Sequence, residues 1–274
     1  MKAIILAAGR GSRMKNLTFD RPKCLVELHK KALLKWQVEA LRAAGVTDIA
    51  IVTGYKREML LSFNLVEYHN ERWADTQMVT SLMCADEWLS AGTCIVSYSD
   101  IFYEPAAVKS LITSGAILAV TYDPNWLEQW SRRFEDPLCD AETFKLAPGD
   151  KLVEIGQKPH STKEIQGQYM GLLRFTPSGW GEAKDVLSKL STEQREKIHL
   201  TQLLQLIIDK DAVEISAIPY EGFWGEIDSQ SDLAASEEML LNIKNKQMDK
   251  NNLVKELILF YVTENYKKYI INNN

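Results

Sequence analysis

The chain has 274 residues, 46% hydrophobic and 25% charged, with a formal net charge of −5. That apolar content is enough for a sizeable core and excludes a disordered chain, while the acidic balance argues against a general nucleic-acid binder. No charged leader with an apolar segment and no long apolar run is evident, so a cytoplasmic protein with no membrane partner is expected.

In chain order, continuous apolar runs predict strands at Ala3 to Ala7, Ile49 to Thr53, Cys94 to Tyr98 and Ile117 to Thr121. Between them, apolar spacing predicts helices at Ala32 to Ala44, Val79 to Leu89 and Pro105 to Thr113. Strands that do not alternate belong in a parallel sheet covered on both faces. From Asp123 to Gly167 the rhythm breaks, leaving short strand-like pieces near Thr143 to Leu146 and Leu152 to Ile155. Regularity returns with a strand at Gln168 to Phe175, helices at Pro177 to Leu190 and Leu200 to Ile208, and a strand at Val213 to Ile218. Residues 230–274 read as amphipathic helices, in which Leu253, Leu257 and Tyr261 suit a packing helix or a homodimer contact rather than a membrane anchor. The expected fold is α/β, a mixed, mostly parallel sheet flanked by helices, with a catalytic domain over 1–239, an insertion at about 123–170 and a C-terminal helical appendage over 240–274.

Cys24, Cys84, Cys94 and Cys139 form no CxxC pair, and His29, His69, His160 and His199 are isolated. Neither a disulfide framework nor a thiolate zinc site is indicated. The chemistry concentrates instead in LAAGRGSRMKNLTFDRPK, Leu6 to Lys23. A strand that ends in small residues and two glycines lets backbone N–H groups approach a polyphosphate, and Arg10 and Arg13 add positive charge. Met14 stands where a Walker A loop needs its second glycine, and where a dinucleotide fingerprint needs its third. The other reading of these glycines alone is a tight turn with two solvated arginines.

LAAGRGSRM followed by Arg21-Pro22-Lys23 resembles the signature of nucleotidyltransferases that activate sugar phosphates and phosphorylated amino alcohols with a nucleoside monophosphate. The resemblance implies a Rossmann-like, GT-A-like core and nucleotide contacts from Leu6, Ala7, Ala8, Gly9, Gly11, Ser12, Arg13 and Lys23. Gly54 and Tyr55 lie where the family cradles the base, and Thr80 and Ser81 follow a segment in which Gln77 departs from the usual Thr-Asn-Met. Arg13 would hold the outgoing pyrophosphate and Lys23 the reacting phosphates. The family also places a metal-holding carboxylate after a central strand, matched by Asp100, and a partner near the end of the core, matched by Asp228. Mg²⁺, with Mn²⁺ as a substitute, is the implied cofactor. A phosphate monoester is already a nucleophile at neutral pH, so positioning and charge neutralisation suffice, without a Ser/His/Asp or Cys/His constellation.

Sugar-1-phosphate members carry Glu-Lys-Pro where this chain has Gln157-Lys158-Pro159, which keeps Lys158 for a phosphate and weakens the case for a sugar. Nearby Trp130, Arg132, Arg133, Asp140, Glu142, Gln168 and Tyr169 are the candidate acceptor contacts, since aromatic and acidic side chains suit a cationic head group. The alternative for the tryptophans is packing over the sheet. The blocks SYSDIFY, WSRRFEDPLCDAETF, EIQGQYMGLLRF and FWGEID are similar to bacterial CTP:phosphocholine cytidylyltransferases and a neighbouring group that includes a phosphoglutamine enzyme of capsule synthesis, implying a role in cell-surface polysaccharide biosynthesis. The implied partners are CTP and a phosphorylated small amino compound such as phosphocholine, phosphoethanolamine, aminoethylphosphonate or phosphoglutamine. Two further readings remain at this stage: a sugar-1-phosphate nucleotidyltransferase using UTP, dTTP or CTP, and a catalytically silent nucleotide-binding regulator.

Overall fold

A computed structural model describes residues 1–211 and 213–242. The central feature is a nine-stranded sheet. It contains β1 (Lys2–Ala7), β4 (Asp48–Thr53), β5 (Val66–His69), β6 (Cys94–Tyr98), β8 (Leu118–Asp123), β9 (Phe144–Ala147), β10 (Lys151–Ile155), β11 (Gln168–Phe175) and β12 (Ile215–Pro219). The small strands β2 (Glu27–Leu28) and β3 (Lys31–Ala32) form a hairpin, and β7 (Ile101–Tyr103) pairs with β13 (Trp224–Glu226). The sheet order is β5-β4-β1-β6-β11-β8-β12-β10-β9. Strands β5, β4, β1 and β6 pair in parallel, as do β8 and β12, whereas β11 is antiparallel to both of its neighbours.

The expected two-sided burial is visible residue by residue. In β1, Ile4 and Leu6 join one core while Ala3, Ile5 and Ala7 join the other, and β4 divides Ala50 and Val52 from Ile49 and Ile51 in the same way. Successive side chains point to opposite faces, so an unbroken apolar run is what two covered faces require. Helices α1 (Leu33–Ala43), α4 (Pro105–Thr113) and α5 (Trp126–Arg133) supply apolar residues to one core. Helices α2 (Met78–Met83), α3 (Asp86–Ala91), α6 (Pro177–Ser188) and α8 (Leu200–Lys210) supply the other.

Pro105 and Pro177 each open a helix, where a missing N–H costs nothing, and α7 (Thr192–Lys197) begins with a reciprocal Ser191–Gln194 capping box. The helix predicted over Val79 to Leu89 is two helices, because tight turns from Cys84 to Ser81 and from Ala85 to Leu82 interrupt it. Strand β5 carried no apolar run in the sequence, being a half-exposed edge strand of Val, Glu, Tyr and His. Helix α5 lies in the stretch expected to be irregular, and its Trp126 and Trp130 share a face four residues apart.

Residues Met1–Leu233 form one compact unit and Ala234 begins a second. Residues 234–242 of the second unit are helical. The helices expected beyond 242, with Leu253, Leu257 and Tyr261, lie outside the described residues. Among the described residues no helix is long and apolar enough to cross a membrane.

Candidate active site

The carboxyl end of β1 runs into Gly9–Ser12 and then a 3₁₀ turn over Ser12–Thr18. Gly11 has φ +70°, and a Cβ there would fall 2.8 Å from Lys23 Cβ and 2.9 Å from Lys23 Cδ. Only glycine allows that left-handed turn and the lysine stem beside it. The Gly11 carbonyl accepts from the Met14 N–H and from Thr18 Oγ1 at 2.8 Å, which fixes the turn. Pro22, in extended conformation, then delivers Lys23 into the protein with its side chain only 9% exposed.

Asp100 lies in the turn between β6 and β7. Buried Gln37 braces that turn, its Nε2 donating to the carbonyls of Tyr98 and Ile101 at 2.6 Å each. Pairing of Ile101 with Glu226, together with an N–H of Ile227 donating to the Asp100 carbonyl at 2.9 Å, brings two distant segments side by side. As a result, Asp100, Glu226 and Asp228 each place a carboxylate oxygen within 4.8 Å of the others. Lys23 Nζ donates to Asp100 Oδ2 at 2.8 Å and to Asp228 Oδ1. Arg13 reaches Asp228 Oδ2 at 2.9 Å and Asp140 Oδ1 at 3.7 Å.

Burial alone would lower the Lys23 pKa, but Asp100 and Asp228 outweigh it and hold the ammonium charged well above its ordinary range. Burial, then the charges of Asp228 and Asp100, push Glu226 up to about 8. Asp228 is also penalised by burial, yet Lys23 and Arg13 keep it below the usual carboxylate range. Among the described residues, Asp100 Oδ1 is buried with no hydrogen-bond partner. Hard oxygen donors converging beside an unpartnered carboxylate oxygen fit a divalent cation such as Mg²⁺.

Two adjoining clefts open around this cluster. The first, about 350 Å³, is lined by Leu6, Ala8, Gly9, Gly11, Ser12, Arg13, Lys23, Ser81 and Asp100, together with Trp73, Ala74, Thr76, Gln77, Met78, Tyr98 and Ser99. The second, about 320 Å³, includes Asp140, Glu142, Gln168, Tyr169, Glu226 and Asp228, with His199 and Thr201. Arg13, Met78, Tyr98 and Asp100 line both. Among the residues lining the second cleft stand five carboxyl groups, those of Asp100, Asp140, Glu142, Glu226 and Asp228, and one guanidinium, that of Arg13. Burial raises the pKa of both Asp140 and Glu142. Gln168 Oε1 is buried without a partner among the described residues, and Tyr98 packs edge-on against Tyr169 with centroids 5.7 Å apart.

Several expected contacts stand elsewhere. Trp130 is a correction: its side chain is fully buried between Trp126 and Trp224, leaving no face for an acceptor. Arg133 stacks on Trp130 at 4.6 Å and is ion-paired to Glu226 and Asp232, so the aromatic and acidic cluster already encloses a cation of its own. Arg132 is exposed and paired with Glu128 one helical turn away, outside both clefts. Lys158, also exposed, donates to the carbonyls of Leu138 and Cys139 rather than lining the second cleft. Ala7 packs in the core beneath the loop. Thr80 faces the Arg195 carbonyl, while Gly54 and Tyr55 brace the loop after β1 through the Tyr55 N–H to the Ala8 carbonyl at 3.0 Å.

The lining segment from Trp73 to Met78 carried no apolar signal. Its support is polar: Asn70 Nδ2 donates to Thr76 Oγ1 and Ser81 Oγ at 3.0 Å each, Arg72 forms a two-point pair with Glu196, and the Gln77 N–H donates to the Glu196 carbonyl at 2.8 Å. Such long-range partners are invisible to local periodicity.

Comparison with known proteins gives a consistent neighbourhood. The model of the MobA-like NTP transferase domain matches residues 3–146. Over 252 residues the chain is 36% identical to the CTP:phosphoglutamine cytidylyltransferase of Campylobacter jejuni, spanning 85% of this chain and 98% of that protein. It is 37% identical over 188 residues to the choline-phosphate cytidylyltransferase of Streptococcus pneumoniae, spanning 62% of this chain and 81% of that one. In fold it is similar to the solved CTP:phosphocholine cytidylyltransferase of Streptococcus pneumoniae, with a TM-score of 0.66 at 23% identity, covering 87% of this chain and 98% of that one. The inositol-1-phosphate CTP transferase of T. maritima is similar too, with a TM-score of 0.66 at 21% identity, covering 86% and 96%.

Proposed function

The chain belongs to the MobA-like NTP transferase family, and on that premise we propose that it transfers CMP from CTP to a phosphorylated small amino compound, releasing pyrophosphate. The observation that supports the acceptor class is the second cleft, where Asp140 and Glu142, the two lining carboxyl groups not assigned to the metal, stand with the Tyr98–Tyr169 pair. Such a lining favours an ammonium group over a neutral sugar. Phosphoglutamine and phosphocholine are the acceptors named for the two relatives, so compounds of that type are the first candidates. We assign the reaction to the first compact unit, with the segment of about 123–170 contributing Asp140 and Glu142 to the acceptor side.

CTP is placed in the first cleft, its phosphates along Gly9 to Ser12, and the acceptor in the second. The acceptor's phosphate oxygen attacks the α-phosphorus near the shared wall, a new P–O bond forms, and the bond to the pyrophosphate oxygen breaks. Arg13, on that wall, is positioned to pair with the departing pyrophosphate, and Lys23 to neutralise the reacting phosphates. Asp100 and Asp228, with Glu226 alongside, would hold Mg²⁺, which when bound supplies electrostatic stabilisation of the phosphate charge. The two clefts align the reactants, which is the larger part of what a phosphate nucleophile needs.

Pyrophosphate release with Mg²⁺, measured across four NTPs against phosphoglutamine, phosphocholine, phosphoethanolamine, 2-aminoethylphosphonate and glucose-1-phosphate, tests the assignment. Turnover confined to CTP and an amino acceptor is expected; turnover with glucose-1-phosphate would overturn the acceptor class.

A further inference from the structure

The proposed reaction leaves one buried ion cluster without a task. Arg133, on α5, donates from Nη1 to Glu226 Oε2 at 3.2 Å and from Nε to Asp232 Oδ1 at 2.9 Å, with Nη2 at 3.3 Å from Asp232 Oδ2. The side chains of Arg133 and Asp232 are 4% and 2% exposed. Neither lines the clefts described above. Burying such charges is costly unless they are paired and hydrogen-bonded, and this pairing accommodates the cost without itself explaining why the cluster is here.

Its second set of bonds supplies the reason. Asp232 Oδ2 accepts from the Ser229 N–H at 2.9 Å while Ser229 Oγ accepts from the Asp232 N–H at 3.1 Å, the reciprocal arrangement of a capping box. The same Oδ2 accepts a further bond, from the Asp228 N–H at 3.1 Å. That extra bond ties down the backbone of the residue whose carboxylate meets Lys23 and Arg13. We propose that Asp232, oriented by Arg133, is a positioning residue that fixes the Asp228–Ser229 backbone and thereby places the Asp228 carboxylate near that of Asp100.

The consequence for turnover rests on the reading of Asp100 and Asp228 as metal-holding carboxylates; the backbone restraint does not. Partners behind metal ligands typically govern affinity or activity by about 10–100-fold. The test uses the full chain and Mn²⁺ alone, followed by electron paramagnetic resonance, with amide hydrogen exchange at Asp228 and Ser229 read in the same samples. Asp232→Ala should weaken Mn²⁺ binding by about 10–100-fold and accelerate exchange at both amides; Asp232→Asn keeps one oxygen for the Asp228 and Ser229 N–H groups but turns an N–H donor toward Arg133, so it should lose less, with exchange at both amides slower than in Asp232→Ala. Equal losses in the two variants would assign the effect to charge, and unchanged Mn²⁺ binding in Asp232→Ala would remove the positioning role; either overturns the proposal. If Asp232→Ala does not fold, the wild-type chain decides: slow exchange at both amides supports the restraint and fast exchange overturns it. Failure of the cytidylyltransferase reading would appear separately, as no pyrophosphate release from a wild type that still binds Mn²⁺ and protects these amides.

Discussion

Lys23 and Arg133 approach the same short acidic segment, Glu226 to Asp232, from different elements of the fold. Lys23, in the lining of the first cleft, meets Asp228 and Asp100, whereas Arg133 meets Glu226 and Asp232 beneath Trp130 and Phe134. Both are buried cations between carboxylates, so charge alone does not distinguish their roles. The difference is spare capacity. Asp100 retains a buried oxygen with no partner beside Lys23, while both oxygens of Asp232 are taken up by Arg133 and backbone N–H groups. A cluster that lines a cleft and keeps an unmatched carboxylate oxygen has capacity for a cation; one whose oxygens are all matched holds structure in place.

The sharpest way to break this comparison is to remove Asp228. Asp228→Ala should lower turnover by about 10²–10³-fold while circular dichroism stays that of the wild type, because Lys23 keeps Asp100 as a partner. A rate near wild type with Mg²⁺ would dismiss the open cluster as the reaction centre. Lys23→Met leaves Asp100 without its cation and Asp228 with Arg13 alone. It should reduce turnover by at least about tenfold, and an unchanged rate would end the reacting-phosphate role.

On the closed side the expected readout is stability. Trp130→Ala should cost about 3–5 kcal/mol in denaturant unfolding, as for other fully buried tryptophans, with the Michaelis constant for the acceptor unchanged. A raised acceptor constant at unchanged stability would return this tryptophan to the acceptor site. The smallest effect belongs to Asp123, whose Oδ2 accepts from Trp224 Nε1 at 3.0 Å. Burial raises its pKa, even though the Trp224 bond works the other way. A carboxyl with a raised folded pKa binds more protons folded than unfolded, so its contribution is fully present below pH 3.8 and is lost as pH rises through the folded pKa. Asp123→Asn should therefore flatten the fall of unfolding free energy with pH above 3.8, and an unaltered slope would show that Asp123 titrates normally.

The contrast between the two clusters also marks what could be read from the chain. That Asp100 and Lys23 stand out in the chain has a local cause, an apolar strand before one and a glycine loop with Pro22 before the other, and the structure brings the two side chains together. Trp130 and Arg133 were misassigned to the acceptor because composition shows aromatic and charged neighbours without showing which way they face. The capping-box spacing of Ser229 and Asp232 was the available signal for the closed cluster, and Trp126 with Trp130 at i and i+4 was the signal for α5. Trp73, His199 and Thr201 offered no comparable local sign, and Gln77 stood out only as a departure from Thr-Asn-Met.

The sequence by itself marked a sheet covered on both faces, since unbroken apolar strands need burial on both sides, and it marked the glycine turn after β1; it did not show that β11, equally apolar, runs antiparallel between β6 and β8. Tertiary structure alone decided that Glu226 and Asp228 meet Asp100, because that meeting depends on β13 pairing with β7 across more than a hundred residues. It also decided which cation faces a cleft and which is sealed, because exposure depends on what packs over a side chain, and no residue carries that information in its own neighbourhood along the chain.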